Sequence, residues 1–143
     1  MTVARILGDK GREVITTQPH RSLLEVIELL SGKGIGAVVV SDPSRAVLGI
    51  ISERDIVRAI GANGSAALGE PVSRHMTAKV SVVTEDTLIH GVMQTMTNGR
   101  FRHMPVVQNG KLIGLISIGD VVKHYVSEIE TEKRSLTEYI ASA

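Results

Sequence analysis

The chain has 143 residues, 16 basic and 15 acidic side chains, a net charge of +1, no cysteine and a hydrophobic fraction of 43%. That size suits one compact domain, or two interlocked halves sharing a core, and the apolar content excludes a disordered chain. The charge balance leaves no global field to draw in nucleic acid or an anionic membrane, and the lack of cysteine excludes disulfides, thiolate catalysis and Cys-based zinc sites.

Phe101, Tyr125 and Tyr139 are the only aromatic residues of Phe, Tyr or Trp type. The core must therefore be aliphatic, a ligand base is expected to pack on Val, Ile, Met and backbone, and the ring platforms that stack RNA bases are missing. The start, Met1-Thr-Val-Ala-Arg, carries no charged-then-apolar leader pattern, and no apolar run approaches the ~18–20 residues of a membrane span. A cytoplasmic protein without a membrane partner is expected.

In chain order, a short helix over Val3 to Leu7 precedes a strand around Val14-Ile-Thr16. A helix follows with Leu23, Leu24, Ile27 and Leu30 on one stripe and Ser22 as its N-cap. Gly32 or Gly34 ends it, and strands over Ala37–Val40 and Val47–Ile51 flank a Ser41-Asp-Pro-Ser-Arg turn. A helix over Ile56 to Ile60 follows Ser52-Glu-Arg-Asp55. The run from Gly61 to Gly69 has linker composition. The order then recurs. Pro71 to Thr77 predicts a short helix, Val80-Ser-Val-Val a strand, and Leu88, Ile89, Val92, Met93 and Met96 a helix with Thr87 as its N-cap. Strands on either side of Asn109-Gly110 predict a hairpin. One long helix, partly core and partly exposed apolar stripe, is expected from Val121 to Ile140.

This is a duplication. Leu48-Gly-Ile-Ile-Ser-Glu-Arg-Asp repeats as Ile113-Gly-Leu-Ile-Ser-Ile-Gly-Asp at an offset of 65, and Gly36-Ala-Val-Val-Val matches Arg102-His-Met-Pro-Val at 66. The expected division is a first repeat over 1–61, a linker over 62–70, a second repeat over 71–129 and a helical extension over 130–143.

Three motifs bear on chemistry. Ser52-x-x-Asp55 and Ser117-x-x-Asp120 each open a helix, so each can be a capping box with no ligand. The same geometry lets a carboxylate at a helix start accept hydrogen bonds from a ribose, as acidic residues do in dinucleotide folds. Arg102 and His103 suit a phosphate, where the first copy has Gly36 and Ala37. Gly32-x-Gly34-x-x-Ala37 satisfies a dinucleotide fingerprint but follows a helix and precedes a strand, the reverse of what such a site needs. His20, His75, His90, His103 and His124 have no paired metal spacing. Neither serine lies in a nucleophile elbow, and no acid–base pair stands out, so no enzyme is expected.

The element order, the Gly-Ile-Gly-Ala and Arg-His-Met-Pro-Val strands and Gly-Ile-Ile-Ser-Glu-Arg-Asp together resemble a tandem pair of CBS domains, the module named after cystathionine β-synthase, from about Val3 to Val126. The resemblance implies an α/β (α+β) fold of two repeats, each strand-helix-strand-strand-helix, packed about a pseudo-two-fold axis. It implies two inter-repeat clefts for adenosyl ligands such as AMP, ADP, ATP, NAD(H) or, less favoured, S-adenosylmethionine, with no cofactor required. It also implies a homodimer and a regulatory role exerted on a protein effector in trans. The alternative is a purely structural dimerisation module. The implied ligand set is Ser52, Arg54, Asp55, Gly36, Ala37, Val38 and Thr16 in the first copy, and Ser117, Asp120, Arg102, His103, Met104, Pro105 and Val80 in the second. Arg102 and His103 are expected to serve the cleft of Asp120, leaving Asp55 the poorer one with Arg54 beside it.

Overall fold

The computed structural model describes residues 1–142. Its elements are α1 (Val3–Lys10), β1 (Thr16–Thr17), α2 (Leu23–Lys33), β2 (Ala37–Ser41), β3 (Val47–Ser52), α3 (Glu53–Asn63), a 3-10 helix (Gly64–Gly69), α4 (Val72–His75), α5 (Ile89–Gly99), β4 (His103–Gln108), β5 (Lys111–Ser117) and α6 (Ile118–Ser142). The duplication is plain in space. Antiparallel β2–β3 and β4–β5 both slip register near the hairpin end, one pair from it at Val40/Ser41 and two pairs from it at Val106/Val107. In the second hairpin Asn109 and Gly110 both take positive φ, 52° and 76°, as a type I′ turn demands.

The copies differ at their first strand. β1 pairs in parallel with β2, whereas the strand expected at Val80-Ser-Val-Val reduces to one bridge, Val83 to Val106. The expected N-cap Thr87 is also displaced by one residue. Leu88 occupies the cap position without a side-chain bond, and Thr87 Oγ1 instead accepts from the Thr84 amide at 3.2 Å. The helix-to-strand segment keeps the offset of 66, so Leu88, not Thr87, matches Ser22. Ser22 does cap α2, in a box closed by Glu25. The stripe of α2 is Leu23, Val26 and Leu30, with Leu24 44% exposed, so the buried face is rotated slightly from the expected one. Gly34 ends α2 in the left-handed conformation.

The Gly-rich run expected as a linker is helical. Its first residues complete α3, the rest form the 3-10 helix, and Ala67 is fully buried. One buried methyl and the following α4 hold a segment whose glycines signal freedom.

The two cores are exchanged. Val3, Ile6 and Leu7 of α1 pack with Ile89, Val92, Met96, Met104, Val106, Ile116 and Val121, all of the second copy. Val72 of the second copy, with Ala67 just ahead of it, packs with Leu23, Val26, Leu30, Val38, Val40, Ile51 and Ile56 of the first. The backbone confirms the pseudo-two-fold. The Val3 amide donates to Thr87 O at 2.9 Å as Val72 donates to Arg21 O at 2.7 Å, and Ile89 donates to Met1 O as Leu23 donates to Glu70 O. The duplicated glycines make room for the visitors. A Cβ on Gly114 would lie 2.7 Å from Leu7 Cδ2, and one on Gly49 would lie 2.7 Å from Met76 Sδ and from Thr77 O. Any side chain there would collide with the incoming segment.

Candidate functional site

The Ser-x-x-Asp motifs do form caps. Ser52 N donates to Asp55 Oδ2 at 2.9 Å and Asp55 N to Ser52 Oγ at 3.4 Å; Ser117 N donates to Asp120 Oδ2 at 2.9 Å and Asp120 N to Ser117 Oγ at 3.2 Å. Capping engages only Oδ2 of Asp55, which leaves Oδ1 for another donor.

Around Asp55 the copies enclose an open cleft of about 270 Å³. The first copy contributes Gly36, Ile50, Ser52, Glu53, Arg54, Asp55 and Arg58. The second copy contributes Thr77, Lys79, Val80, Ser81, Arg100, Phe101, Arg102 and His103. Five cationic side chains meet two carboxylates there, in a chain of net charge +1. Such a wall suits an anion. Thr77 is held in place by mutual backbone bonds with Ile50 at 2.9 and 3.0 Å.

Asp120 has a lysine as a further partner. Lys10 Nζ donates to Asp120 Oδ2 at 2.7 Å and to Leu115 O at 3.0 Å. Burial opposes ionisation of Asp120, but the Lys10 ammonium and the Ser117 hydrogen bonds outweigh it and hold the carboxyl below its ordinary value. His124 bridges the same junction, 2.9 Å from Asp9 of α1. Lys79 is the counterpart of Lys10 at the offset of 69 that relates α1 to α4. It lines the Asp55 cleft, and Asp55 takes its hydrogen bonds from Ser52.

The expected pairing of Arg102 and His103 with Asp120 is therefore corrected: both line the cleft of Asp55. The copies face each other, so the basic end of β4 projects across to the opposite helix start. His103 lies between the clefts. Burial first, and then the charge of Lys10, push its pKa below the ordinary value, so it is neutral near pH 7.

Other expected residues lie elsewhere. Val38 and Met104 are buried in the two cores, Ala37 is 3% exposed, and Pro105 is buried, its carbonyl accepting from Val83. None of these four lines the Asp55 cleft. Thr16 lies on β1, paired with Val39, and does not line the cleft. Gly36, Ser52, Arg54, Asp55, Val80, Arg102 and His103 do.

Sequence reading missed Arg58, Lys79, Arg100 and Phe101. Arg58 lies one turn beyond Asp55 on α3, a spacing that was available. Phe101 corrects the expectation of a ring-free wall, and its ring lies against Gly99, where a Cβ would be 2.3 Å away. Arg100 carries a conformational signal. It takes φ 58°, ψ 36° at the end of α5, where the first copy has Gly34 at φ 64°. A non-glycine residue there costs of order 1–2 kcal/mol, and the second copy bears that cost to set a guanidinium at the cleft.

A family model for the CBS domain matches residues 9–62 and again 72–127. The chain belongs to the CBS-domain family. The tandem pair aligns with a mitochondrial CBS domain-containing protein of Arabidopsis thaliana, CBSX3, at 33% identity over 97% of this chain and 71% of that one. A CBS-domain containing protein from Agrobacterium tumefaciens is similar in structure, with a TM-score of 0.84 and 46% identity over 87% of this chain and 99% of that one. A CBS domain protein from Pyrobaculum aerophilum, solved as a complex with AMP, has a TM-score of 0.74 at 25% identity, covering 84% of this chain and 89% of that one. Across eight of the curated relatives it matches, the chain spans from 21% to 71% of their length.

Proposed function

We propose that this CBS pair is a regulatory, non-catalytic module that binds one adenine nucleotide in the Asp55 cleft and, as a homodimer, transmits occupancy to a protein effector in trans. The observation that carries the reading is the junction of a capped helix start bearing Asp55 with the basic wall of Arg54, Arg58, Lys79, Arg100 and Arg102. Asp55 Oδ1 suits a ribose hydroxyl, the arginine forks suit phosphate, and Ile50, Val80 and Phe101 offer apolar surface to a purine. The AMP bound by the Pyrobaculum relative supports an adenosyl ligand. Five cations against two carboxylates favour ADP or ATP over AMP.

Calorimetry with adenosine, AMP, ADP, ATP, NAD(H) and GMP tests this. One site is expected, affinity should rise with phosphate number, and GMP should bind more weakly by ~1–3 kcal/mol because its exocyclic groups leave donors unpaired. Equal affinity for adenosine and ATP would refute the phosphate assignment. If no nucleotide raises the melting temperature, where 100 times the dissociation constant should add about 2.7 kcal/mol, the module is structural and the two Ser-x-x-Asp motifs are caps only.

A further inference from the structure

We propose that the outer half of α6 pairs with the same helix of a second copy as a parallel two-stranded coiled coil. This deepens the homodimer reading above and rests on it, adding the surface and its register. The 25 residues of α6 extend about 37 Å at 1.5 Å per residue. Only the first turns are anchored. Val121 is buried, Tyr125 packs against the second core, and Glu128 lies 3.5 Å from the amino terminus of Met1. From Ile129 to Ser142 every residue is exposed. So short a helix with no tertiary contact is marginal in water, and something must cover its apolar side.

The pattern names the cover. Val122, Val126, Ile129, Leu136 and Ile140, exposed by 43%, 46%, 45%, 60% and 66%, alternate at four and three residues, and Lys133 fills the remaining place. This is a heptad with Val122, Ile129 and Leu136 at d and Val126, Lys133 and Ile140 at a, sustained over about three repeats. In the outer heptad Ile140 at a with Leu136 at d fits two parallel strands, whereas Ile129 at d departs from that pattern, and the single Lys133 at a sets register and oligomer state at some cost in stability. The seam also carries its own counter-charge, for in parallel register Lys133 of each helix meets Glu132, at g, of the other copy. A surface that presents both the lysine and its partner carboxylate is complementary to itself.

Sedimentation and cross-linking test this on the full chain. The parent should be a dimer at micromolar concentration. Leu136→Glu should make it a monomer that keeps its melting transition and nucleotide binding, and Lys133→Leu should tighten the dimer. The chain has no cysteine, so Leu136→Cys reports alone. It should oxidise to a covalent dimer, whereas Ser135→Cys, at the outward c position, should not. A dimer that survives Leu136→Glu, or a Leu136→Cys that cross-links no faster than Ser135→Cys, overturns the coiled coil and leaves the homodimer reading standing. A monomeric parent overturns both.

Discussion

The two helix starts of this CBS pair descend from one motif, and the lysines beside them are placed differently. At the second, Lys10 bonds Asp120 and the Leu115 carbonyl. At the first, Lys79 lines an open cavity beside Asp55. The backbone frames are alike, down to the Glu53 amide donating to Gly36 O at 3.0 Å and the Ile118 amide donating to Arg102 O at 2.8 Å. A duplicated fold thus yields unequal sites without changing its scaffold. The side chains delivered by the exchanged segments distinguish the two helix starts.

The largest test of that inequality exchanges the aspartates. Asp55→Ala should weaken nucleotide binding roughly 10- to 150-fold, the value of a charge-assisted hydrogen bond of ~1.5–3 kcal/mol, while Asp120→Ala leaves affinity within about twofold. Either loses a cap, about 1 kcal/mol of stability. Asp55→Asn should recover most of the melting temperature but not the affinity. Calorimetry beside melting curves separates these outcomes.

Lys10→Met should free Asp120 at the second helix start, and a nucleotide titration should then show a second, weaker phase. The same variant should change acid stability. The folded pKa of Asp120 is depressed, so its contribution is present above the unfolded carboxyl pKa of about 3.9 and lost as pH falls through the folded value. Parent and variant should therefore differ at neutral pH and converge in acid.

A smaller effect is expected from Arg100→Gly. It removes one charge from the open cleft and relieves the left-handed backbone, so nucleotide affinity should drop several-fold while the melting temperature holds or rises. A drop in both would mean that Arg100 is structural. The smallest effect is His103→Gln. A phosphate beside the neutral histidine favours its protonation, so affinity for ADP should rise modestly from pH 8 to pH 6 in the parent, and less in the variant.

What the chain reveals by itself is what depends on neighbouring residues. The duplication, the hairpins at Ser41–Arg45 and Asn109-Gly110, a glycine cap at Gly32 or Gly34 and the long last helix all follow from spacing and turn chemistry. The cleft residues Ser52, Asp55, Arg102 and His103 were legible as types; their grouping was not. That grouping depends on how the copies face each other, which no periodicity records. The exchange of α1 and α4 was hidden for the same reason, since a short apolar helix reads alike whichever core it joins. At Gly61–Gly69, local composition pointed to a linker, and burial of Ala67 overrode it.

The exchange also sets a schedule for the ribosome. Val3, Ile6 and Leu7 leave the exit tunnel well ahead of packing partners that include Ile89, Ile116 and Val121. At ~5–20 residues per second, α1 waits on the order of 5–20 s for the core it completes. The nascent first repeat, meanwhile, closes once Val72 arrives. The helix α1 is thus made long before the core that buries it.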